Sequence, residues 1–258
     1  MTVPPVPVAA QPIFDAHFHV IDHRFPLQPN AGFLPDPFPV DAYRAAAGPL
    51  GVVGGAAVAG SFQAFDRGWL LDALATLGPG FVGVAQLPAS VNDEEIASLD
   101  AAGVRAVRFN LYRGGSAGEA DLDRMARRVW DVARWHVELY VDAAGVDVDR
   151  LARLPKVVID HLGLTAAGLK PLLRLVDAGG SVKATGFGRV DLDVAATLSA
   201  VAAVNPRALL FGTDLPSTRA RRPFDPADLD LLVETLGEDH ARLALHDNGV
   251  ELYRPPAG

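Results

Sequence analysis

The chain is predicted to fold as a single (β/α)8 barrel, an α/β TIM barrel, and three observations predict it. Its 258 residues match the roughly 250 that one such barrel commonly uses. Short apolar runs alternate with amphipathic stretches along its length, the mark of repeated βα units. No GxGxxG follows the first run, which removes the main cue for an open dinucleotide-binding sheet.

Eight strands are expected near 13–20, 52–59, 81–87, 104–111, 137–141, 156–161, 181–185 and 208–212. Runs such as "KVVID" and "ALLFG" are continuously apolar, as parallel strands covered on both faces must be. Helices are expected at 65–77, 93–102, 121–135, 147–154, 166–178, 192–204, 227–236 and 240–246. In the first, Trp69, Leu70, Leu74 and Leu77 fall on one side; the second opens with an acidic turn suited to a helix N-terminus. In the third, Leu122, Met125, Val129 and Val132 recur at helical spacing. Residues 1–12, with four prolines and no Lys or Arg, read as an extended arm rather than a secretory signal, and 13–258 as the barrel. The segment 22–41 holds five prolines with Phe25, Phe33 and Phe38. A loop of that length is usually functional, and its place after the first strand makes it a lid or a wall of the pocket.

Half of the residues are hydrophobic, enough for a sizeable core, and no run nears the roughly 20 apolar residues that span a bilayer. Net charge is −8 without a long basic stretch, which argues against nucleic acid or membrane as partner. There is no cysteine, so disulfides and thiolate chemistry are excluded, and a metal would have to rest on His, Asp or Glu. A cytoplasmic protein acting on a small molecule, as monomer or homodimer, is expected.

The chemistry gathers at strand ends. Strand one closes on Asp15-Ala16-His17-Phe18-His19, and residues two apart in a strand share a face, so both imidazoles project together. Strand six ends at His161 and strand eight at Asp214. Taken singly, each has an ordinary reading: a satisfied core histidine, or a turn aspartate. A barrel brings all these ends to one rim, where active sites of this fold lie.

The segments "DAHFHV", "GVRAVRFNL", "VIDHLG", "FGTDLP" and "NGVELY", in that order, resemble the amidohydrolase-2 branch of the amidohydrolase superfamily, which includes lactonases and decarboxylases. The resemblance runs from about Ile13 to Tyr253. Binuclear members use a lysine after strand four and a histidine after strand five; this chain has Arg108-Phe109-Asn110 and Tyr140 there. Tyrosine at that place resembles the 2-pyrone-4,6-dicarboxylate lactonases, which work without metal and bind substrate carboxylates through arginines. The resemblance therefore implies a lactone hydrolase with no cofactor. Asp214 is its general base, while His17, His19 and His161 polarise the carbonyl. Arg108, Arg113 and Arg189 are the implied carboxylate anchors, and Tyr43, Tyr140 and Ser217 the other substrate contacts. Where those lactonases carry a further arginine after the strand-six histidine, this chain has Leu164, which points to a different substrate. The alternatives are a single Zn or Mn ion on His17, His19 and Asp214, serving a sugar lactonase or an aromatic-acid decarboxylase, and a barrel that only binds a ligand.

Overall fold

The computed structural model describes residues 11–256; the predicted arm lies outside them except for its last two residues. Eight parallel strands pair in chain order. They are β1 Ile13–Phe18, β2 Val52–Val58, β3 Phe81–Ala85, β4 Val104–Asn110, β5 His136–Tyr140, β6 Val157–Ile159, β7 Ser181–Ala184 and β8 Leu209–Phe211. All eight predicted strands form; β5 begins one residue earlier than expected, at His136, and the others are shorter by one to three residues, mostly at their C-terminal ends. The ring closes through backbone hydrogen bonds beyond the last ladder. Asp214 N donates to His17 O at 2.7 Å, and His19 N donates to Leu215 O at 2.8 Å. Gly212 permits this approach, since a Cβ there would sit 2.6 Å from His17 N.

The helices are α1 Val40–Ala47, α2 Gly68–Leu77, α3 Asp93–Ala101, α4 Leu122–Ala133, α5 Val148–Leu151, α6 Leu169–Asp177, α7 Val194–Val204, α8 Ala227–Arg242 and α9 Asn248–Tyr253. None is long and apolar enough to cross a membrane, among the described residues. On α2 the four predicted core residues are all buried. A capping box begins α3, with Asn92 Oδ1 accepting from Glu95 N and Glu95 Oε2 from Asn92 N.

Three expectations need correction. Val132 is 37% exposed, because ten residues at about 100° each carry it well off the Leu122 face. Helix α1 starts inside the segment read as irregular; Val40, Tyr43 and Ala47 recur at helical spacing and are buried. The separate helix expected at 240–246 is instead the end of α8 and a π turn, Leu243–Asp247. Gly237, at φ +72°, kinks α8 where the sequence reads as a break.

One irregularity of β1 positions the chemistry. Asp15 is paired with Gly55 and Phe18 with Ala57, three steps on β1 against two on β2, which is a bulge. Phe14 and Ala16 pack in the lumen with Val58, Val82, Val84 and Leu210. After the bulge the parity reverses: Phe18 turns outward to stack on Tyr43 at 3.7 Å. His17 and His19 turn inward, where the His17 ring meets that of His161 at 4.8 Å.

Candidate active site

At the C-terminal end of the barrel, β1, β6 and β8 bring His17, His19, His161 and Asp214 together, all 4% exposed or less. Asp214 Oδ1 lies 3.8 Å from Nε2 of both His17 and His19. It is buried and has no hydrogen-bond partner among the described residues, and His17 Nε2 is in the same state. The other carboxylate oxygen, Oδ2, accepts from Arg189 Nε at 2.9 Å and also from Nη2. Burial raises the Asp214 carboxyl above the ordinary carboxylate range, and Arg189 opposes part of that rise. Such a carboxylate is a stronger base than a free one, with one oxygen aimed into the gap between two imidazoles.

The histidines are held neutral. Burial lowers His17 well below the usual imidazole range, and Lys183 adds to the effect. His19 falls to about 3, mainly through burial and then Arg108. His161, lowered by burial and by Arg189, is fixed by a 2.7 Å bond between Nδ1 and Thr185 Oγ1. Asp15 clamps the ends of β1 and β8 together. It accepts from Thr213 N (2.9 Å), Thr213 Oγ1 (2.7 Å), Tyr43 Oη (3.1 Å) and His17 N (3.2 Å), though burial still lifts its carboxyl to about 6.

Above the imidazoles the mouth is cationic. A cavity of about 350 Å³ is lined by Arg113, Tyr140, Leu164, Arg189, Arg219 and Arg221, among others. A narrower recess continues from it toward His19, His161 and Arg108. Segment 22–41 forms part of this wall. Phe33 lines the recess, Asn30 Nδ2 donates to Arg113 O, and Asn30 Oδ1 accepts from Arg219 Nη1 at 2.9 Å. The guanidiniums of Arg113 and Arg219 have no carboxylate partner among the described residues; they lie against Tyr112, Tyr140 and Phe33. A wider cleft of about 420 Å³ opens at the opposite end of the barrel, near Arg134, Lys156 and Asn248. It has neither the imidazole pair nor Asp214, so the C-terminal mouth is the candidate site.

The remaining predicted contacts divide. Arg108 lines the recess, but its Nε and Nη2 already bind Asp160 Oδ2 (3.1 and 2.8 Å) and its Nη1 binds Ala59 O. Tyr43 is buried between α1 and the barrel wall, and Ser217 Oγ accepts from Phe224 N as a turn brace. Neither lines the cavity. Sequence reasoning missed Arg219 and Asn30 at the mouth, and Lys183 and Glu138 beneath it. Lys183 Nζ lies 2.5 Å from Glu138 Oε2, 3.1 Å from His17 Nδ1 and 3.6 Å from Asp160 Oδ1. Burial favours neutral acids here. Arg108 and Lys183 outweigh it at Asp160, and Lys183 and His136 outweigh it at Glu138, so both carboxyls are lowered.

His17, His19 and Asp214 offer three donor atoms within 4.8 Å of one another, a spacing that one divalent ion would accept. The donor chemistry fits such an ion poorly. A metal-bound histidine gives its second nitrogen's proton to a carboxylate or carbonyl, whereas His17 Nδ1 faces the ammonium of Lys183.

Comparison with known proteins agrees with this geometry. The chain is 27% identical to the D-galactarolactone isomerase of Agrobacterium fabrum, covering 97% of this chain and 94% of that one. It is 27% identical to the 4-sulfomuconolactone hydrolase of Rhizobium radiobacter, covering 93% and 89%. Over 58% of its length, and 51% of the other's, it is 31% identical to the 2-pyrone-4,6-dicarboxylate hydrolase of Comamonas testosteroni. Among solved structures, an apo protein of Agrobacterium tumefaciens superposes with a TM-score of 0.84 at 24% identity, over 98% of this chain and 99% of that one. An Acinetobacter baumannii protein described as a probable 2-pyrone-4,6-dicarboxylic acid hydrolase, with citric acid bound, superposes with a TM-score of 0.79. Its identity is 21%, over 94% and 99%; both likenesses are of fold. The amidohydrolase family model matches residues 14–254. With the paired imidazoles, the strand-six histidine and the strand-eight aspartate assembled at one rim, the chain belongs to the amidohydrolase family.

Proposed function

We propose that this enzyme opens a cyclic ester in a small carboxylated substrate, using water activated by Asp214 and no bound metal. The observation that carries the reading is Asp214 Oδ1: buried, unpartnered, and 3.8 Å from two imidazole Nε2 atoms. Water placed there attacks the lactone carbonyl carbon as its proton passes to Oδ1. The tetrahedral intermediate then collapses, the ring C–O bond breaks, and Asp214 returns the proton to the leaving oxygen. His17 and His161 meet the developing oxyanion, a task that preorganised donors perform in place of a Lewis acid, while His19 faces the water. Arg113 and Arg219, lacking carboxylates of their own, suit the substrate carboxylate, since a guanidinium fork pairs with it in bidentate fashion. Arg108 and Arg189, already bound to Asp160 and Asp214, hold the machinery in shape. Leu164 and Tyr140 supply an apolar wall.

A panel of five- and six-membered lactones bearing carboxylates, assayed in ¹⁸O-labelled water, tests the reading. Hydrolysis incorporates one ¹⁸O into the product acid. Turnover without label would mean isomerisation, in which a substrate hydroxyl replaces water at Asp214. Carbon dioxide release from carboxylated aromatics, or activity lost to a chelator and restored by Zn²⁺, would overturn it.

A further inference from the structure

The two imidazoles of the HxH pair are anchored from behind by groups of opposite hydrogen-bonding character. Behind His19, Nδ1 meets the carbonyl oxygen of Val58 at 2.7 Å. A carbonyl only accepts, so Nδ1 carries the proton and Nε2 presents a lone pair to the site. Behind His17, Nδ1 meets Lys183 Nζ at 3.1 Å. An ammonium only donates, so Nδ1 is the acceptor and the ring proton sits on Nε2. The competing acceptor for an Nδ1 proton is Asp160 Oδ1, but at 3.6 Å it lies beyond hydrogen-bond range. Lys183 is 0% exposed, and its charge is matched by Glu138 at 2.5 Å, as burying an ammonium demands.

We infer that Lys183 is a positioning residue that fixes His17 in the Nε2–H form, giving the HxH pair one donor and one acceptor. The role deepens the hydrolytic reading and rests on it for its catalytic meaning. The His17 Nε2–H is the donor to the tetrahedral oxyanion, and the His19 Nε2 lone pair orients a water proton while Asp214 takes the other. Two lone pairs, which an ion shared by both rings requires, are not on offer while Lys183 stands behind His17.

Long-range ¹H–¹⁵N correlation spectra of the ¹⁵N-histidine-labelled protein, at a pH where the buried rings are neutral, read the tautomers directly. His17→Gln and His19→Gln variants assign the two rings. The expected result is the proton on Nε2 for His17 and on Nδ1 for His19; a His17 proton on Nδ1, or two like tautomers, overturns the inference. Zn²⁺ titration of the wild type should show no stoichiometric site, and tight one-to-one binding abolished by His17→Gln would also overturn it.

Lys183→Met strips Glu138 of its ammonium partner, leaving only His136 and the Tyr253 hydroxyl, among the described residues, beside a buried charge, and endangers folding, so the second variant is the charge-matched Lys183→Met/Glu138→Gln. Its His17 should lose the pure Nε2–H signature, its kcat should fall by about 10²-fold with KM changed less, as loss of one oxyanion donor does, and it should gain affinity for Zn²⁺. An unchanged tautomer in that variant would show that Lys183 does not set it. The spectra need no substrate. Failure of the lactone panel with the expected tautomers would therefore strike the proposed reaction and leave the role of Lys183 standing.

Discussion

The lumen of this barrel has two walls of opposite character. Along β2 and β3 it is faced by Ala56, Val58, Val82 and Val84, all buried and apolar. Along β4 to β7 only Ala106 and Val158 continue that apolar cluster, and beside them stand Arg108, Glu138, Asp160 and Lys183, every one at most 3% exposed. The apolar wall obeys the general rule for barrel interiors, which are packed cores rather than pores. The polar wall breaks that rule in a balanced way, since two cations face two anions and each acid has a cationic partner. The difference shows where folding ends and function begins. One side holds the barrel together, and the other flanks His17 with Lys183 and Asp160 at an energetic cost that packing alone would never require.

The sharpest way to break this contrast lies at the top of the polar side. Asp214→Asn should lower kcat/KM by roughly 10²–10⁴-fold, the usual range for a general base, with the circular dichroism spectrum unchanged. Below it, Glu138→Ala removes the nearer carboxylate of Lys183, leaving Asp160 Oδ1 at 3.6 Å, and should cost about 3–5 kcal/mol in urea unfolding, as breaking a buried ion pair does. On the apolar wall, Val84→Ala should cost only about 1.5–2.5 kcal/mol, the two lost methyl groups and the space they leave, and kcat should not change. A loss of kcat there comparable with that of the polar-wall variants would show that the two walls are not separable. At the mouth, Arg219→Gln should raise KM about tenfold with kcat nearly constant, as loss of uniform substrate binding does. The smallest effect concerns pH. The acid limb of kcat/KM should lie above the ordinary carboxylate range, because burial raises Asp214. Arg189 favours the charged form, so Arg189→Met should move that limb to higher pH, with activity lost sooner as pH falls; a move to lower pH would contradict the pairing.

Much of the barrel was readable in the chain because its strands are continuously apolar, and the convergence of His17, His19, His161 and Asp214 at one rim because all four sit where apolar runs stop. The buried ion cluster was hidden for the converse reason. Lys183 and Glu138 are single charges inside strands of four and five residues, and each run still reads as apolar. A usable signal existed, since a lone charge flanked by apolar neighbours in a buried strand demands a partner of opposite sign nearby. Arg108 looked like a substrate anchor because its pairing with Asp160 spans 52 positions, a distance that only ring closure makes short. Arg219 was overlooked among the arginines of "STRARR", where a solvated surface is the ordinary reading. Tyr43 and Ser217 stand close in sequence to rim segments, but helix α1 and a turn direct them away from the cavity.

The unequal count in β1, three residues set against two, carries more weight than any single side chain near it. Excision of Ala16 would preserve an H-x-H string in the gene product while rotating both rings out among the helices. Sequence comparison that slides a gap across this position would see an intact motif whose rings no longer face Asp214. The shape of the candidate site is thus partly a matter of arithmetic in the main chain.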